Sequence, residues 1–189
     1  MTVVLRTSLK LLWLKAGLLL VVVTLPVQAE TIPIGYRQVA AEYAIPAQLF
    51  YAVALTESRR ATHTGHALPW PWSLNVEGQT LRFPSRKAAW TALQSFLDQG
   101  IHLVDIGLMQ INWRYHSERL GNAWKALDPY HNLRVGAQIL REQYSRSGDW
   151  LMAAGHYHNP GTTPRQQHLA ATYRKRVVTM LQQIGGSPS

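Results

Sequence analysis

The stretch Asp105–Asn112, which reads Asp-Ile-Gly-Leu-Met-Gln-Ile-Asn, follows an apolar run that ends in a glutamate at Ala54–Ser58, Ala-Leu-Thr-Glu-Ser. If residues 47–58 are helical, the carboxyl of Glu57 lies on the same stripe as apolar side chains that are typical of a core. The members of that stripe are Phe50, Val53 and Ala54. Partial burial raises the pKa of a carboxyl toward neutrality, as a general acid requires, although a glutamate at a helix end is commonly a solvated surface residue.

The first 29 residues have the composition of a secretory signal peptide. Three basic residues precede an apolar run at Ala16–Leu25, and Val27 and Ala29 offer a small-residue cleavage site. The run is shorter than the roughly 20 residues that span a bilayer, and Lys15 argues against an uncleaved anchor. The sequence therefore predicts export, cleavage after about Ala29, and no stable membrane anchor for the remaining single domain, residues 30–189.

The composition narrows the possible partners. The chain contains no cysteine, which excludes disulfides and a thiol nucleophile. Removing the three basic residues of the segment 1–29 takes the formal charge from +9 to +6. This charge favours a polyanion such as an acidic cell-wall polymer. The basic residues are scattered apart from Arg174–Arg176, and no nucleic-acid motif is present, so we expect no nucleic-acid partner.

Helical patterns dominate residues 30–189, with proline, glycine and capping residues at their ends. Glycines and prolines punctuate residues 59–83 and predict a long loop there. Residues 101–105 predict a short strand that leads into Gly107, where we expect a bend or a close backbone approach. Six or seven helices and at most a small extended element near the cleft indicate a single, mainly α domain. The predicted helices cover residues 34–44, 47–58, 85–99, 128–147, 150–158 and 164–184.

Four short motifs occur in order between about residues 36 and 180. They are Glu57-Ser58; Gly107–Asn112; Asp128-Pro129 with Asn132 and Gly136; and Ala153–Gly161, which Tyr173 follows. In this order the chain resembles the soluble lytic transglycosylase family, whose lysozyme-like α+β enzymes cut the glycan strands of bacterial peptidoglycan. Two departures stand out. His158 occupies the usual place of an asparagine, with Asn159 next, and the segment 59–106 is longer than in compact members.

The resemblance implies a role for each motif. Glu57 would protonate the glycosidic oxygen between N-acetylmuramic acid and N-acetylglucosamine, and would then accept a proton as a 1,6-anhydro ring closes. The 2-acetamido oxygen of the sugar would stabilise the cationic centre, so no protein nucleophile is required. Ser58 would bind the acetamido group, and Tyr157 and Tyr173 would orient Glu57 or the intermediate. The other implied substrate-binding residues are Met109, Gln110, Asn112 and His158.

Several of these residues have a second interpretation. Met109 and Tyr173 have the character of core residues. The tryptophans Trp70, Trp72 and Trp113 either stack on sugars or tie loops to the core. Neither the His63 and His66 pair nor the His156 and His158 pair has the spacing of a zinc signature, so we predict no metal and no cofactor.

Two other functions compete with the transglycosylase. Asp105 and its neighbours also look like the Asp-Tyr-Gly-Ile-Leu-Gln-Ile-Asn stretch of c-type lysozymes, whose aspartate is the second carboxylate of a hydrolase. Asp105 is therefore a candidate second carboxylate of a muramidase. A non-catalytic wall-binding component is the other alternative, and the presence of Glu57 argues against it. In its small size the domain is similar to the specialised enzymes of conjugation, pilus and secretion systems. We expect the chain to act as a monomer on glycan strands, with such machinery as a candidate partner.

Overall fold

The computed structural model describes residues 31–61 and 67–186, so the predicted signal peptide lies outside the described part of the chain. Within it, eight helices accompany two small antiparallel sheets, which confirms a mainly α fold. The helices are α1 (Ile34–Glu42), α2 (Ala47–Ser58), α3 (Arg86–Asp98), α4 (Trp113–Leu120), α5 (Ala123–Ala126), α6 (Pro129–Ser147), α7 (Trp150–His158) and α8 (Pro164–Gln183). The strands are β1 (Arg59–Ala61), β2 (Ala67–Pro69), β3 (Ser73–Val76), β4 (Gln79–Arg82), β5 (Val104–Ile106) and β6 (Ile111–Asn112).

The six predicted helices are all present, and side-chain caps set several of their starts. Ser85, Asp128 and Asp149 each accept a hydrogen bond from a backbone N–H in the first turn of α3, α6 and α7. Thr163 begins α8 with a capping box, in which the side chain of Gln166 returns to the backbone of Thr163. Local sequence therefore determines where these helices begin.

Helices α4 and α5 were not predicted, because they are short and carry no long apolar stripe. Each begins at an asparagine whose side-chain oxygen accepts from the backbone two or three residues later, Asn112 for α4 and Asn122 for α5. Gly121, with φ +75°, separates the two helices. Tertiary packing and caps, rather than periodicity, account for both elements.

The prediction of a loop at residues 59–83 is wrong for the described part of that segment. Strands β3 and β4 form a hairpin, with Ser73 opposite Arg82 and Val76 opposite Gln79. At the turn, Glu77 has φ +49° and Gly78 has φ +89°, as a tight two-residue hairpin turn requires. The punctuating glycine therefore marks a turn between two short strands.

The larger sheet has the order β4-β3-β5-β6, with every pair antiparallel. The side chains of Leu74, Ile106 and Ile111, on one row of the sheet, are buried. The predicted strand at residues 101–105 is observed as β5, shifted toward Gly107. The smaller sheet pairs β1 with β2, and β1 begins at the residue after α2 ends.

Helix α2 is the centre of the core, since every residue from Leu49 to Thr56 is buried. Helices α1 and α8 and the β1–β2 sheet all pack against it. The predicted stripe is therefore only part of a helix that is buried on nearly all sides, and Glu57 is its partly exposed end.

Within residues 31–61 and 67–186, no single helix is long and apolar enough to span a membrane. Helices α1 and α2 pass that test only as a pair, and they meet at a bend of 116°.

Candidate active site

Glu57 lies in the last turn of α2, where the helix reaches the surface. Its Oε1 accepts a hydrogen bond of 2.7 Å from the hydroxyl of Tyr173, a buried residue of α8. Burial raises the pKa of Glu57 to about 7, and the charge of Asp105 acts in the same direction. The hydrogen bond from Tyr173 and the charge of Arg176 oppose this rise. Near neutral pH the carboxyl therefore exchanges readily between its acidic and basic forms.

The turn at Gly107–Gln110 is fixed to three helices by side-chain hydrogen bonds. The buried Asn132 of α6 accepts from the backbone N–H of Met109 at 2.9 Å and donates to the carbonyls of Ile106 and Ala126. Three more contacts hold the same turn: Ser58 Oγ donates to the Leu108 carbonyl at 2.8 Å, Tyr157 donates to the Met109 carbonyl at 2.6 Å, and Gln110 Nε2 donates to the Gly107 carbonyl at 2.8 Å.

Glycines allow this turn to lie against α6. Gly107 has φ +79°, and a Cβ placed there would be 2.6 Å from Asn132 Nδ2, which confirms the expected bend and close approach. A Cβ on Gly136 would likewise be 2.6 Å from Met109 Cγ. The asparagine and glycine of the third sequence motif thus hold the second motif in place.

Asp105 lies in β5 between two asparagines of the neighbouring strands. Asn112 donates to its Oδ1 at 2.8 Å, and Asn75 of β3 donates to its Oδ2 at 3.2 Å. Burial raises the pKa of Asp105, and these two hydrogen bonds oppose that rise. The charge of Asp105 raises the pKa of both Glu57 and Tyr157. Asp105 with its two asparagines and the end of α2 therefore belong to one electrostatic site.

The ring of the exposed His158 covers one face of the buried Tyr173. The two rings stack with centroids 4.4 Å apart and an angle of 8° between their planes. The guanidinium of Arg176 lies 5.7 Å from the Tyr173 ring and donates to the Thr56 carbonyl at 3.2 Å. Burial raises the pKa of Tyr173 well above its usual value, so its phenol remains a hydrogen-bond donor to Glu57.

Of the sequence-predicted site residues, Tyr173 contacts Glu57 directly, and three are buried: Ser58, Met109 and Tyr173. The side chain of Met109 is fully buried, in agreement with the core interpretation, and Ser58 is 3% exposed. The hydroxyl of Ser58 binds main-chain carbonyls of Leu108 and Ala54. Ser58 therefore binds the turn through the Leu108 carbonyl, and Met109, a residue of the turn, packs into the core.

Tyr157, His158 and Tyr173 lie on the helical side of the site. Gln110 and Asn112 lie on the sheet side, in the Gly107–Asn112 motif, and both are partly exposed. Trp70 has a structural contact, because its indole N–H donates to the carbonyl of Phe83, the residue after β4, at 2.9 Å. Trp113 begins α4 and packs on the core.

Sequence reasoning missed three residues of this site. Asn132 was noted only as part of a motif, whereas it makes three hydrogen bonds around the turn. Asn75 lies in the segment predicted as a loop, so its pairing with Asp105 was not foreseeable. Arg176 belongs to the Arg174–Arg176 cluster, and its position three residues after Tyr173 on a helix was an available signal.

Residues 31–61 and 67–186 contain no cluster of three histidine, aspartate or glutamate side chains that could hold a metal ion. His63 and His66 lie outside the described residues.

A helical domain with a partly buried glutamate beside a small antiparallel sheet defines a lysozyme-like protein. The family model described as the transglycosylase SLT domain matches residues 36–178, about three quarters of the chain. The chain therefore belongs to this family, and it is a lytic transglycosylase that acts on peptidoglycan. No match was found among curated proteins or among solved structures.

Proposed function

We propose that the chain cleaves the β-1,4 bond between N-acetylmuramic acid and N-acetylglucosamine, with Glu57 as general acid and then general base. The observation that carries this proposal is the environment of Glu57. Burial raises the pKa of its carboxyl to about 7. The hydroxyl of Tyr173 donates a hydrogen bond of 2.7 Å to its Oε1. One group can then both give and take a proton at neutral pH.

In the first step, the protonated carboxyl transfers its proton to the glycosidic oxygen as the bond to C1 breaks. Tyr173 donates to the carboxylate that forms, and Arg176 adds a positive charge nearby. Both stabilise the ionised state of Glu57 at the moment it appears. The 2-acetamido oxygen of the same sugar stabilises C1, so a nucleophile from the protein is not needed.

In the second step, ionised Glu57 removes the proton from the C6 hydroxyl of the muramic acid. That oxygen attacks C1 and closes a 1,6-anhydro ring, and the carboxyl regains the proton it lost. The net reaction consumes no water, in contrast to hydrolysis.

The test is a digestion of purified sacculi with residues 30–189 and with Glu57→Gln, followed by mass spectrometry of the released muropeptides. Anhydro-ended products from the unsubstituted chain, and at least a thousandfold less release by Glu57→Gln, are expected. The matched control is Glu118→Gln on the exposed face of α4, which should release normal amounts. Equal release by Glu57→Gln would refute the role of Glu57.

The second candidate is a muramidase that uses Glu57 and Asp105. It is favoured by the position of Asp105, whose charge reaches Glu57 and whose two oxygens are held by Asn112 and Asn75. Its products would be heavier than the anhydro forms by one water molecule. Asp105→Asn would abolish hydrolysis, whereas the anhydro route would retain part of its rate. No release of muropeptides by the unsubstituted chain or by any variant would support a wall-binding component instead.

We also propose that the chain is exported to the periplasm as a monomer and opens the wall locally for a conjugation, pilus or secretion machine. The composition of residues 1–29 and the small size of the domain support this. N-terminal sequencing of the periplasmic protein should begin near Glu30. Purification of cross-linked envelope complexes should recover a component of an envelope-spanning machine with this chain, and its absence would argue against the role.

A further inference from the structure

Two exposed arginines, Arg60 of β1 and Arg82 of β4, lie near the C-terminal end of α2, on strands that the sequence predicted as a loop. Arg82 is paired with Ser73, whose carbonyl accepts from the N–H of Gly107 at 2.9 Å and from Gln110 Nε2 at 3.4 Å. The guanidinium of Arg82 also donates to the carbonyl of Arg59 at 3.0 Å, two residues after Glu57. Arg60 therefore lies close to the end of α2, and Arg82 lies on the strand pair that also binds the turn after β5.

An aromatic support holds Arg60 in place. Its guanidinium carbon lies 4.4 Å from the centre of the Trp70 ring. Trp70 is itself fixed, because its indole N–H donates to the Phe83 carbonyl at 2.9 Å and its backbone N–H donates to the Ser58 carbonyl at 3.0 Å. A cation that is already ordered loses less conformational entropy when it binds an anion.

Neither arginine makes an ion pair with another residue in the described part of the chain. In residues 31–61 and 67–186, ion pairs are made by Arg86, Arg119 and Arg134, and none involves Arg60 or Arg82. The guanidinium of the neighbouring Arg59 lies 3.5 Å from the sulfur of Met180 and packs against that side chain. Guanidinium groups bind carboxylates through paired N–H donors, so two free ones form a surface suited to an acidic peptide.

We propose that Arg60 and Arg82 bind the carboxylates of the peptide stems of peptidoglycan, so that the chain prefers glycan that carries stems. This rests on the proposed function, because the bond that Glu57 would cleave belongs to the muramic acid from which the stem extends. The stem of that sugar would leave the glycan near the end of α2, and the two arginines lie close to the chain that follows this helix.

The experiment measures binding without turnover. Variants are made in residues 30–189 carrying Glu57→Gln, and their binding is compared on sacculi coupled covalently to beads through the glycan, either intact or stripped of stems by an amidase. The coupling retains the glycan on the beads after the stems and their cross-links have been removed. The double variant Arg60→Gln and Arg82→Gln should bind intact sacculi about tenfold more weakly. On stripped sacculi it should bind as well as the chain that retains both arginines. The matched control is Arg146→Gln, an exposed arginine of α6, which should change neither value.

Equal weakening on both kinds of sacculi would overturn the proposal in favour of another wall anion, and no weakening on intact sacculi would overturn it outright. If the glutamine double variant fails to fold, the corresponding lysine double variant replaces it. Lysine keeps the charge but not the paired donors, so binding to intact sacculi alone should weaken about threefold. Stem-dependent binding, together with no glycan release by the chain that retains Glu57, would refute the proposed function and leave this inference standing.

Discussion

At the scale of single residues, the state of Glu57 depends on opposed effects from distant parts of the chain. Burial at the end of α2 and the charge of Asp105 raise its pKa, whereas Tyr173 and Arg176 of α8 lower it. The pKa of about 7 is the balance between them. Removing any one partner should therefore move the pH dependence of activity in a known direction.

Tyr173→Phe removes the hydrogen bond that favours the ionised carboxylate of Glu57, so the pKa of Glu57 should rise above about 7. The alkaline limb of the profile of kcat against pH should move upward by about one unit. The measurement is glycan release between about pH 5 and pH 9. Tyr115→Phe, at a residue that is 70% exposed, is the control. A shift toward lower pH would show that Tyr173 does not stabilise the carboxylate.

Glu57→Gln should stabilise the fold, and the gain should depend on pH. Because the native pKa of about 7 is above the ordinary value of 4.5, the native state holds a proton that the unfolded state releases. The stability of the unsubstituted chain therefore falls as pH rises through this window. The advantage of Glu57→Gln should grow from near zero below pH 4.5 to about 2–3 kcal/mol above pH 7. Denaturant unfolding at several pH values measures it.

Glu118→Gln is the control for this stability series, because Glu118 is exposed on α4. Its difference from the unsubstituted chain should stay flat over the same pH range. A Glu57→Gln advantage that is equally flat would mean that the carboxyl is not desolvated in the folded protein.

At the scale of elements, one side chain joins the helical part to the sheet. Asn132 reaches from the first turn of α6 to the end of β5, to the turn after it and to the end of α5. These backbone groups are buried or lie where no regular ladder can satisfy them. The asparagine therefore substitutes for secondary structure at the point where two elements meet the site.

Asn132→Ala should lower the free energy of unfolding by roughly 3 kcal/mol, because it leaves buried backbone groups without partners. Activity should also fall at temperatures where the variant is fully folded, since the turn at Gly107–Gln110 loses its support. Asn122→Ala, which removes only the cap of α5, should cost about 1 kcal/mol and leave activity unchanged. Similar costs for the two variants would show that Asn132 does not organise the turn.

At the scale of the whole molecule, α8, the last helix of the described chain, packs against α2, which lies near its start. It packs on both α2 and α7, and it supplies the Tyr173 hydroxyl that reaches Glu57. Val177, one turn after Tyr173, is fully buried in the same core. The site therefore depends on contact between two helices that are far apart in the sequence.

Val177→Ala should lower the stability of the sheet as much as that of α8, because both belong to one cooperative core. A loss of about 2 kcal/mol is expected from the buried methyl groups. Native-state hydrogen exchange should show equal losses for the protected amides of β5 and α8. Gln182→Ala, on the exposed side of α8, is the control. A loss confined to α8 would mean that the two parts unfold independently.

Local sequence was sufficient for the elements whose ends carry their own signals. The starts of α3, α6, α7 and α8 were predictable because capping side chains satisfy free N–H groups within a few residues. Strands β3 and β4 were missed because a four-residue strand has too few alternations to be distinguished from a loop.

The candidate acid and the order of its motifs could also be read from the amino-acid sequence, because each motif is contiguous or nearly so. The partners of Glu57 and Asp105 could not, because Tyr173 is 116 positions from Glu57 and Asn75 is 30 positions from Asp105. Contacts over such separations arise from packing of the whole chain, and no local periodicity encodes them. Local chemistry therefore identified which carboxyl could act, whereas folding supplied the burial and the hydrogen bond that bring its pKa to about 7.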